Sequence, residues 1–561
     1  MKKRPWFKFY DPGVPQSIDY PDIPVHRFLE DAAKTHPDRP CTIFKGASIT
    51  FAEMDALTDR LAAGLAELGV KKGQPVGIFM PNSPQFVMAF YAITKAGGVV
   101  VATNPQYKPR EVEHQLNDAG VEVMLVMSNF YNVARQVRDT TPLKTMIVTN
   151  IKEYLPGLLR LLFTLAKEKK GGHKVELDEG DLWLKDVLAR HTPEERPKVE
   201  VGPEDMALFQ YSGGTTGRSK AAVALHRNLV VNTLQMRSWM TELELGEETV
   251  LMAIPMFHVY GLVAGMSFSI SSSSTMVMVP DPRDIGDVLE NIDKYKPTIY
   301  PGVPAMYNSI NANPDVQAGK YDLRSIKACI SGSAPLLRET KETFEGLTGG
   351  KLVEGFGMSE APTSTHANPL LGENRIGSIG IPLPDVDARI ISLDDETTVL
   401  GPEEIGELVI KSPNVMKGYH NMPTETKNTL RKGWLYTGDI ARMDADGYFY
   451  IVDRKKDMIK PSGFQVWPRE VEEVIAENPK VLDVGVAGIP DAYRGETVKA
   501  WVVLKPGETA DEDEIRAWCK ERLANYKVPT RVEFRDELPK TTVLKVLRRE
   551  LVRQEAEKKS E

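Results

Sequence analysis

The run Tyr211 to Lys220, YSGGTTGRSK, sets Ser212, Thr215, Thr216 and Ser219 among Gly213, Gly214 and Gly217 and closes on Lys220. Glycine lets main-chain amides approach an anion without a Cβ clash, the hydroxyls add donors, and the lysine balances charge. That chemistry suits phosphate oxygens and points to ATP. The common nucleotide-triphosphatase loop ends Gly-Lys-Ser/Thr, whereas here Gly217 is followed by Arg218, Ser219 and Lys220. A Ser/Gly surface turn has the same composition, so other residues must decide.

The elements around this loop read as α/β. From Pro40 onward, strand-like QPVGIFM and GGVVVAT alternate with helical FAEMDALTDRLAAGLAELG, whose apolar residues recur at helical spacing before a terminal glycine. The alternation returns through VEVMLVM, KTMIVT, TIYPGVP and IKACISG, so layers of parallel strands and helices are expected. After about Gly438 short strands and charged helices take over, among them TADEDEIRAWCKERL, and a small C-terminal domain is expected there. The basic cluster DRKKDMIK at this junction reads as a solvated face or as a hinge.

A chain of 561 residues, 42% hydrophobic and 26% charged, is too long for one core and predicts at least two domains. The net charge of −8 argues against a nucleic-acid-coating protein. Cys41, Cys329 and Cys519 lie far apart without metal spacing, so neither a disulfide framework nor a zinc site is expected, and a reducing cytoplasm fits. MKKRPWFKFYDPG lacks an apolar core, so no secretory signal is expected.

Two apolar stretches bear on membranes. Val250 to Pro280 carries no Asp, Glu, Lys or Arg, yet Pro255, His258, Gly261, Gly265 and Ser271 to Ser274 interrupt it; strand, loop, short helix and strand are expected, all buried. EYLPGLLRLLFTLAKEKKGGHK joins Leu158, Leu159, Leu161, Leu162, Phe163 and Leu165 to a basic end. Docking on a membrane surface and packing on the chain's own domain both fit, and packing is favoured because the run is short and its polar face thin.

Separated motifs then agree in order: YSGGTTGRSK, PMFH (255–258), SGSAP (331–335), EGFGMSE (354–360), YTGDI (436–440), VDRKKDMIKPSGF from Val452 and LPKTTVLKVLRRE from Leu538. Together, from about Val25 to Arg549, they resemble the adenylate-forming superfamily of acyl-CoA synthetases. FQYSGGTTG, PDPRDI, the segment near Leu158 and RDELPK look most like bacterial long-chain fatty acyl-CoA synthetases.

The resemblance implies a large N-terminal domain of layered α/β subdomains (1–452), a hinge (453–456) and a small mobile α+β C-terminal domain (457–561). It implies that Lys545 bridges the fatty carboxylate and the α-phosphate as a cation. Glu360 would hold Mg²⁺, with Ser212 as a second ligand, and Ser359 would donate to the α-phosphate. ATP would meet 213–217, Lys220, Gly332, Ser333, Ala334, and Glu354, Gly355, Phe356, Gly357 and Met358, with Phe356 against adenine. Asp439 and Arg454 would take the ribose hydroxyls. Lys456 would be the hinge residue, and Ser462, Gly463 and Phe464 would line the CoA channel after rotation. His258 and Phe257 would flank the acyl carboxylate, and Leu262, Gly302 and Val303 would line the acyl pocket beside Tyr300.

Within the pattern, Leu544 stands where the family has glycine, Ala221 replaces a glycine after Lys220, and Gln465 and Trp467 replace Asn and Tyr. The function expected is a long-chain fatty acid–CoA ligase using ATP, CoA and Mg²⁺. A medium-chain or aryl acid–CoA ligase, a non-catalytic AMP- or acyl-binding protein and a membrane scaffold are the alternatives. The protein is expected in the cytoplasm, without nucleic-acid partners; peripheral contact with the inner membrane face and a homodimer stay open.

Overall fold

A computed structural model describes residues 4–212, 219–461, 466–491, 494–541 and 546–558. The chain packs as two compact units: Trp6–Asp387 with Lys411–Leu435, and Ala388–Ile410 with Tyr436–Glu561 and Met1–Pro5.

The first unit is built on an eight-stranded sheet in the order Gly418–Tyr419, Lys220–Leu225, Met206–Ser212, Val99–Ala102, Pro75–Phe79, Val123–Met127, Thr145–Thr149, Leu182–Trp183. Its middle strands are parallel, and Val99–Ala102 and Val123–Met127 are buried along their whole length. Continuous β-branched and apolar runs are what a sheet covered on both faces requires. Helix Phe51–Glu67 starts in a capping box between Thr50 and Glu53 and is followed by Gly69 at φ +84°, the left-handed conformation that suits glycine.

Two four-stranded sheets complete the unit. One runs Thr249–Met252, Thr275–Met278, Pro40–Phe44, Ala47–Thr50; the other runs Ala328–Ser331, Lys351–Met358, Ala361–Ala367, Ile381–Pro382. Single bridges from Ile299 to Val250 and to Ala328 join them. The strand expected at TIYPGVP is reduced to such bridges, because Pro301 and Pro304 have no N–H to give a ladder.

Val250 to Pro280 divides as expected, into strand Thr249–Met252, helical turns Tyr260–Ser267 and Phe268–Ser271, and strand Thr275–Met278. The buried serines that end it are satisfied locally: Ser269 Oγ donates to Gly265 O and Ser272 Oγ to Phe268 O, while Ser273 takes φ +52°. SISSSS therefore works as a buried helix cap.

The segment near Leu158 departs from the favoured expectation. Helix Gly157–Ala166 forms, but Leu158, Leu161, Leu162 and Leu165 are 71, 56, 51 and 76% exposed. They sit at i, i+3, i+4 and i+7, one face of a helix. The residue that packs inward is Phe163, whose ring lies 5.3 Å from that of His173. Among the described residues no helix is long and apolar enough to cross a membrane.

In the second unit, Val481–Asp491 pairs antiparallel with Gly495–Leu504, and Arg531–Phe534 adds a parallel strand. These two strands are longer than the short ones expected. Helices Pro468–Ala476 and Glu512–Lys520 cover a core of Val486, Val498, Ala500, Val502 and Ile515, and Asp511 caps the second helix by accepting from the Glu514 amide.

Candidate active site

The glycine-hydroxyl loop joins two antiparallel strands. Tyr211 pairs with Ala221 and Ser212 with Lys220, so the hairpin fixes both ends of the loop. Tyr211 Oη donates to Asp118 at 2.6 Å, tethering the base of the loop. Residues 213–217 and the Ser212 side chain lie outside the described residues. Ala221, unusual for the family pattern, is a buried strand residue here. Lys220 Nζ lies 2.6 Å from Glu425 and 5.6 Å from the ring centroid of Tyr419.

EGFGMSE forms a tight hairpin. Strand Lys351–Met358 runs against Ala361–Ala367 with Met358 opposite Ala361, leaving Ser359 and Glu360 at the tip. A Cβ at Gly357 would meet Thr363 O at 1.3 Å, so no other residue fits that close crossing. Glu360 is held at both ends: its carbonyl accepts from the Met416 amide at 2.8 Å, and Oε1 accepts from Tyr419 Oη at 2.7 Å. Burial, then the neighbouring Glu360 charge, pushes the Tyr419 phenol well above its usual range, so it stays a donor. Phe356 is half-buried, its ring edge-on to His366 with centroids 6.1 Å apart.

Strand register links this hairpin to the other predicted pieces. Ser331 pairs with Glu354 and forms a bridge to Gly302, and the Gly332 amide donates to Gly302 O at 3.1 Å. The predicted adenine edge, Gly332 to Ala334, thus adjoins the predicted acyl pocket. Glu354 is buried and accepts from the Leu336 amide at 3.2 Å, and Gly355 packs against Ile330. Ser333 takes φ +67°, which turns the chain out of the strand. Val303 and Leu262 are buried, and the space a side chain at Gly302 would take is filled by Tyr307, whose hydroxyl lies 2.8 Å from that position.

The PMFH turn is positioned from three sides. Asn82 donates to Met252 O and Ile254 O and accepts from the Met256 amide, at 2.8 to 3.0 Å. Gln210, two residues before Ser212, donates to Phe257 O at 3.3 Å. A Cβ at Gly261 would lie 2.2 Å from Pro255 O, so glycine is required where the helix crosses the turn. His258 Nδ1 accepts from the Tyr260 amide at 3.2 Å, and burial pushes the ring down to about 4. The ring is therefore neutral at physiological pH, with its proton on Nε2.

In the other unit, Asp439 and Arg454 face each other across antiparallel strands Trp434–Met443 and Phe449–Arg454, with Nε and Oδ1 at 2.6 Å. Asp439 belongs to a strand and follows Gly438 at φ +70°. Lys455 is tied to Glu396 and Glu407, while Lys456 is exposed. Arg548 reaches Asp453, Asp457 and Glu472 at 2.5 to 3.1 Å, linking the C-terminal helix Arg548–Lys558 to the segment expected as the hinge. Lys545, Leu544, Gln465, Ser462, Gly463 and Phe464 lie outside the described residues. Trp467 is buried just before helix Pro468–Ala476.

Sequence reasoning missed Tyr419, Glu425, Gln210, Asn82, Tyr307 and Arg548. GYHN at 418–421 carried a signal, since a glycine beside an aromatic in a polar stretch marks a close crossing; Gly418 has φ +151° with Thr426 where its Cβ would be. Among the described residues no cluster of three or more His, Cys, Asp or Glu could hold a metal ion.

A nucleotide-handling α/β protein with a separate C-terminal α+β unit is the class these features define. The chain belongs to the AMP-binding enzyme family: the family's model matches residues 29–420, and that of the AMP-binding enzyme C-terminal domain matches 470–545. It is 43% identical to a long-chain-fatty-acid–CoA ligase of Bacillus subtilis over 99% of both chains, and 36% identical to one of Escherichia coli O157:H7 over 98% of both. Among solved structures, ATP-bound MatB from Rhodopseudomonas palustris superposes with a TM-score of 0.83 at 27% identity, covering 95% of this chain and 99% of that one.

Proposed function

We infer that this chain is an AMP-forming long-chain fatty acid–CoA ligase. The observation that carries the reading is the near full-length match to two such ligases, at 43% and 36% identity. The fatty carboxylate attacks the α-phosphate of ATP, a C–O–P bond forms, and the bond to the β-phosphate breaks to release pyrophosphate. The CoA thiol then attacks the acyl carbonyl, and AMP leaves with the electron pair. No protein nucleophile is required; Cys41, Cys329 and Cys519 are buried, and burial raises their thiols.

The first step brings anions together, so positive charge and aimed donors must do most of the work. In this reading Lys545 lies between carboxylate and α-phosphate, and the loop 213–217 with Lys220 cradles the phosphates. Asp439 and Arg454 hold the ribose, while Phe356 and the 332–334 edge sandwich adenine. Neutral His258 offers Nε2–H to the acyl carboxylate, with Phe257 beside it, and the chain runs past Leu262, Gly302 and Val303. The hinge at 453–456, through Lys456, withdraws Lys545 and brings 462–464 to the pantetheine arm.

Mg²⁺ fits as a companion of the nucleotide. Glu360 is a hard oxygen donor at a hairpin tip, with one carboxylate oxygen committed to Tyr419 and phosphate oxygens able to complete the set. Bound there, Mg²⁺ would neutralise charge building on the leaving pyrophosphate.

The test is pyrophosphate release with ATP, Mg²⁺ and acids from acetate to oleate, with and without CoA, for the wild type and Lys545→Ala. Long acids should give pyrophosphate and acyl-CoA, and the variant should lose adenylation yet still convert a supplied acyl-adenylate with CoA. Turnover only with aryl or short acids, or none beside intact ATP binding, overturns the reading.

A further inference from the structure

We propose that helix Gly157–Ala166 docks this protein on an anionic phospholipid surface, its leucine face entering the acyl layer and the adjoining cationic cavity taking a lipid phosphate. The first observation is the orientation of the helix. Leu158, Leu161, Leu162 and Leu165 form one stripe and are each more than half exposed, with Leu159 at 43% beside them. A surface helix of a water-soluble domain normally turns such a stripe inward; one turned outward marks a surface that another apolar phase covers.

Charge says which phase. Residues 152–174 hold six Lys or Arg against two Glu, in a chain whose net charge is −8. Glu168 is already taken by Lys152 at 2.6 Å. Arg160, Lys167, Lys169, Lys170 and Lys174 are exposed and form no ion pair among the described residues. A leucine face rimmed by lysine and arginine is the pattern that lies in the plane of an anionic bilayer. A second copy of the chain would set this ring of cations against itself, which disfavours pairing through the same face.

The second observation is a cavity of about 360 Å³ beside the helix, lined by Arg60, Arg160, Lys185, Glu153, Tyr154 and Leu188. Three cations face one acid there, and Glu153 is partly engaged, accepting from Thr149 Oγ1 at 2.8 Å. Arg60 Nε is buried without a hydrogen-bond partner. Guanidinium and ammonium groups around a small cavity suit a phosphate. The cavity shares Arg160 with the helix that carries the stripe, so one helix presents both the leucines and a cation of the phosphate site.

This surface lies apart from the residues assigned to catalysis, so its test separates from that of the ligase reading. The full-length protein is sedimented with vesicles of phosphatidylcholine alone and of phosphatidylcholine with phosphatidylglycerol. Wild type should bind the anionic vesicles, less so as salt rises, and bind the neutral ones weakly. A variant with Leu158, Leu161, Leu162 and Leu165 all changed to Ser should lose binding by about tenfold or more, as should Arg160→Glu with Lys185→Glu. Because these side chains are exposed or line an open cavity, both variants should keep wild-type pyrophosphate release with an acid held below its micelle concentration. Equal binding by wild type and the leucine variant overturns the proposal, as does equal binding to neutral and anionic vesicles. A leucine variant that merely turns a dimer into a monomer in light scattering overturns it in favour of self-association. If pyrophosphate release is absent throughout, the ligase reading fails while the vesicle result stands by itself.

Discussion

Tyr419 Oη donates a 2.7 Å hydrogen bond to Glu360 Oε1. Tyr419 pairs with Ala222, two residues past Lys220, so the strand that anchors the hairpin-tip carboxylate is also the neighbour of the phosphate-loop hairpin. The two parts of the proposed nucleotide site, read from separate motifs, are mechanically joined through one tyrosine.

Tyr419→Phe should therefore lower kcat/KM for Mg²⁺·ATP by about tenfold to a hundredfold, since a hydrogen bond to a charged group contributes about 1.5–3 kcal/mol. The Mg²⁺ requirement should shift upward with it, as a pyrophosphate-release titration would read. An unchanged Mg²⁺ dependence would mean that Glu360 does not meet the metal.

Asn82 makes three hydrogen bonds to the main chain between Met252 and Met256 and is buried. Asn82→Ala strands those groups and should cost about 3 kcal/mol in urea unfolding. It should also raise KM for the fatty acid more than KM for ATP, because the turn it releases carries Phe257 and His258. Equal effects on both constants would argue against an acyl role for that turn.

Arg548 stands among Asp453, Asp457 and Glu472. Arg548→Ala leaves three carboxylates facing one another and should destabilise the C-terminal unit by about 3 kcal/mol. Faster amide exchange across Pro468–Ala476 and Val481–Asp491, with Thr145–Thr149 unchanged, is the expected signature.

Burial pushes His173, His226 and His258 down to about 4 and His366 down to about 3. In the unfolded chain these rings bind protons near pH 6.5, so between pH 6.5 and 4 the unfolded state holds more protons than the folded one. The stability they contribute is present above pH 6.5, is lost as pH falls, and levels off below about 3. Thermal unfolding should follow that course, and His258→Gln should make the slope shallower. His258 should add no titration to the rate profile between pH 6 and 9.

Much of the architecture was legible because it follows local rules. β-branched runs such as Val99–Val101 became buried parallel strands, and the capping box at Thr50 and Glu53 set the start of a helix. The charge-free stretch from Val250 divided where Pro255 and the serines broke its period. What stayed hidden depends on contacts between distant residues. Nothing near Tyr419 in sequence announces Glu360, and Asn82 looks like a turn residue until Met252 and Met256 fold over it. The leucines of Gly157–Ala166 show a second limit. Periodicity establishes that a helix has an apolar face, but the same spacing serves a face turned inward or outward, so only tertiary packing tells the two apart.

The hairpin ending in Ser359 and Glu360 turns within two residues, and Gly357 leaves no room even for a methyl group against Thr363. Side chains on its strands alternate between faces with a period of two. Inserting or deleting a single residue between Glu354 and Phe356 would thus turn Phe356 to the opposite face and carry the acid away from Tyr419. Gly357 apart, the segment behaves like a word that can change letters but not length: substitutions there are graded in effect, whereas a one-residue frame error is all-or-none.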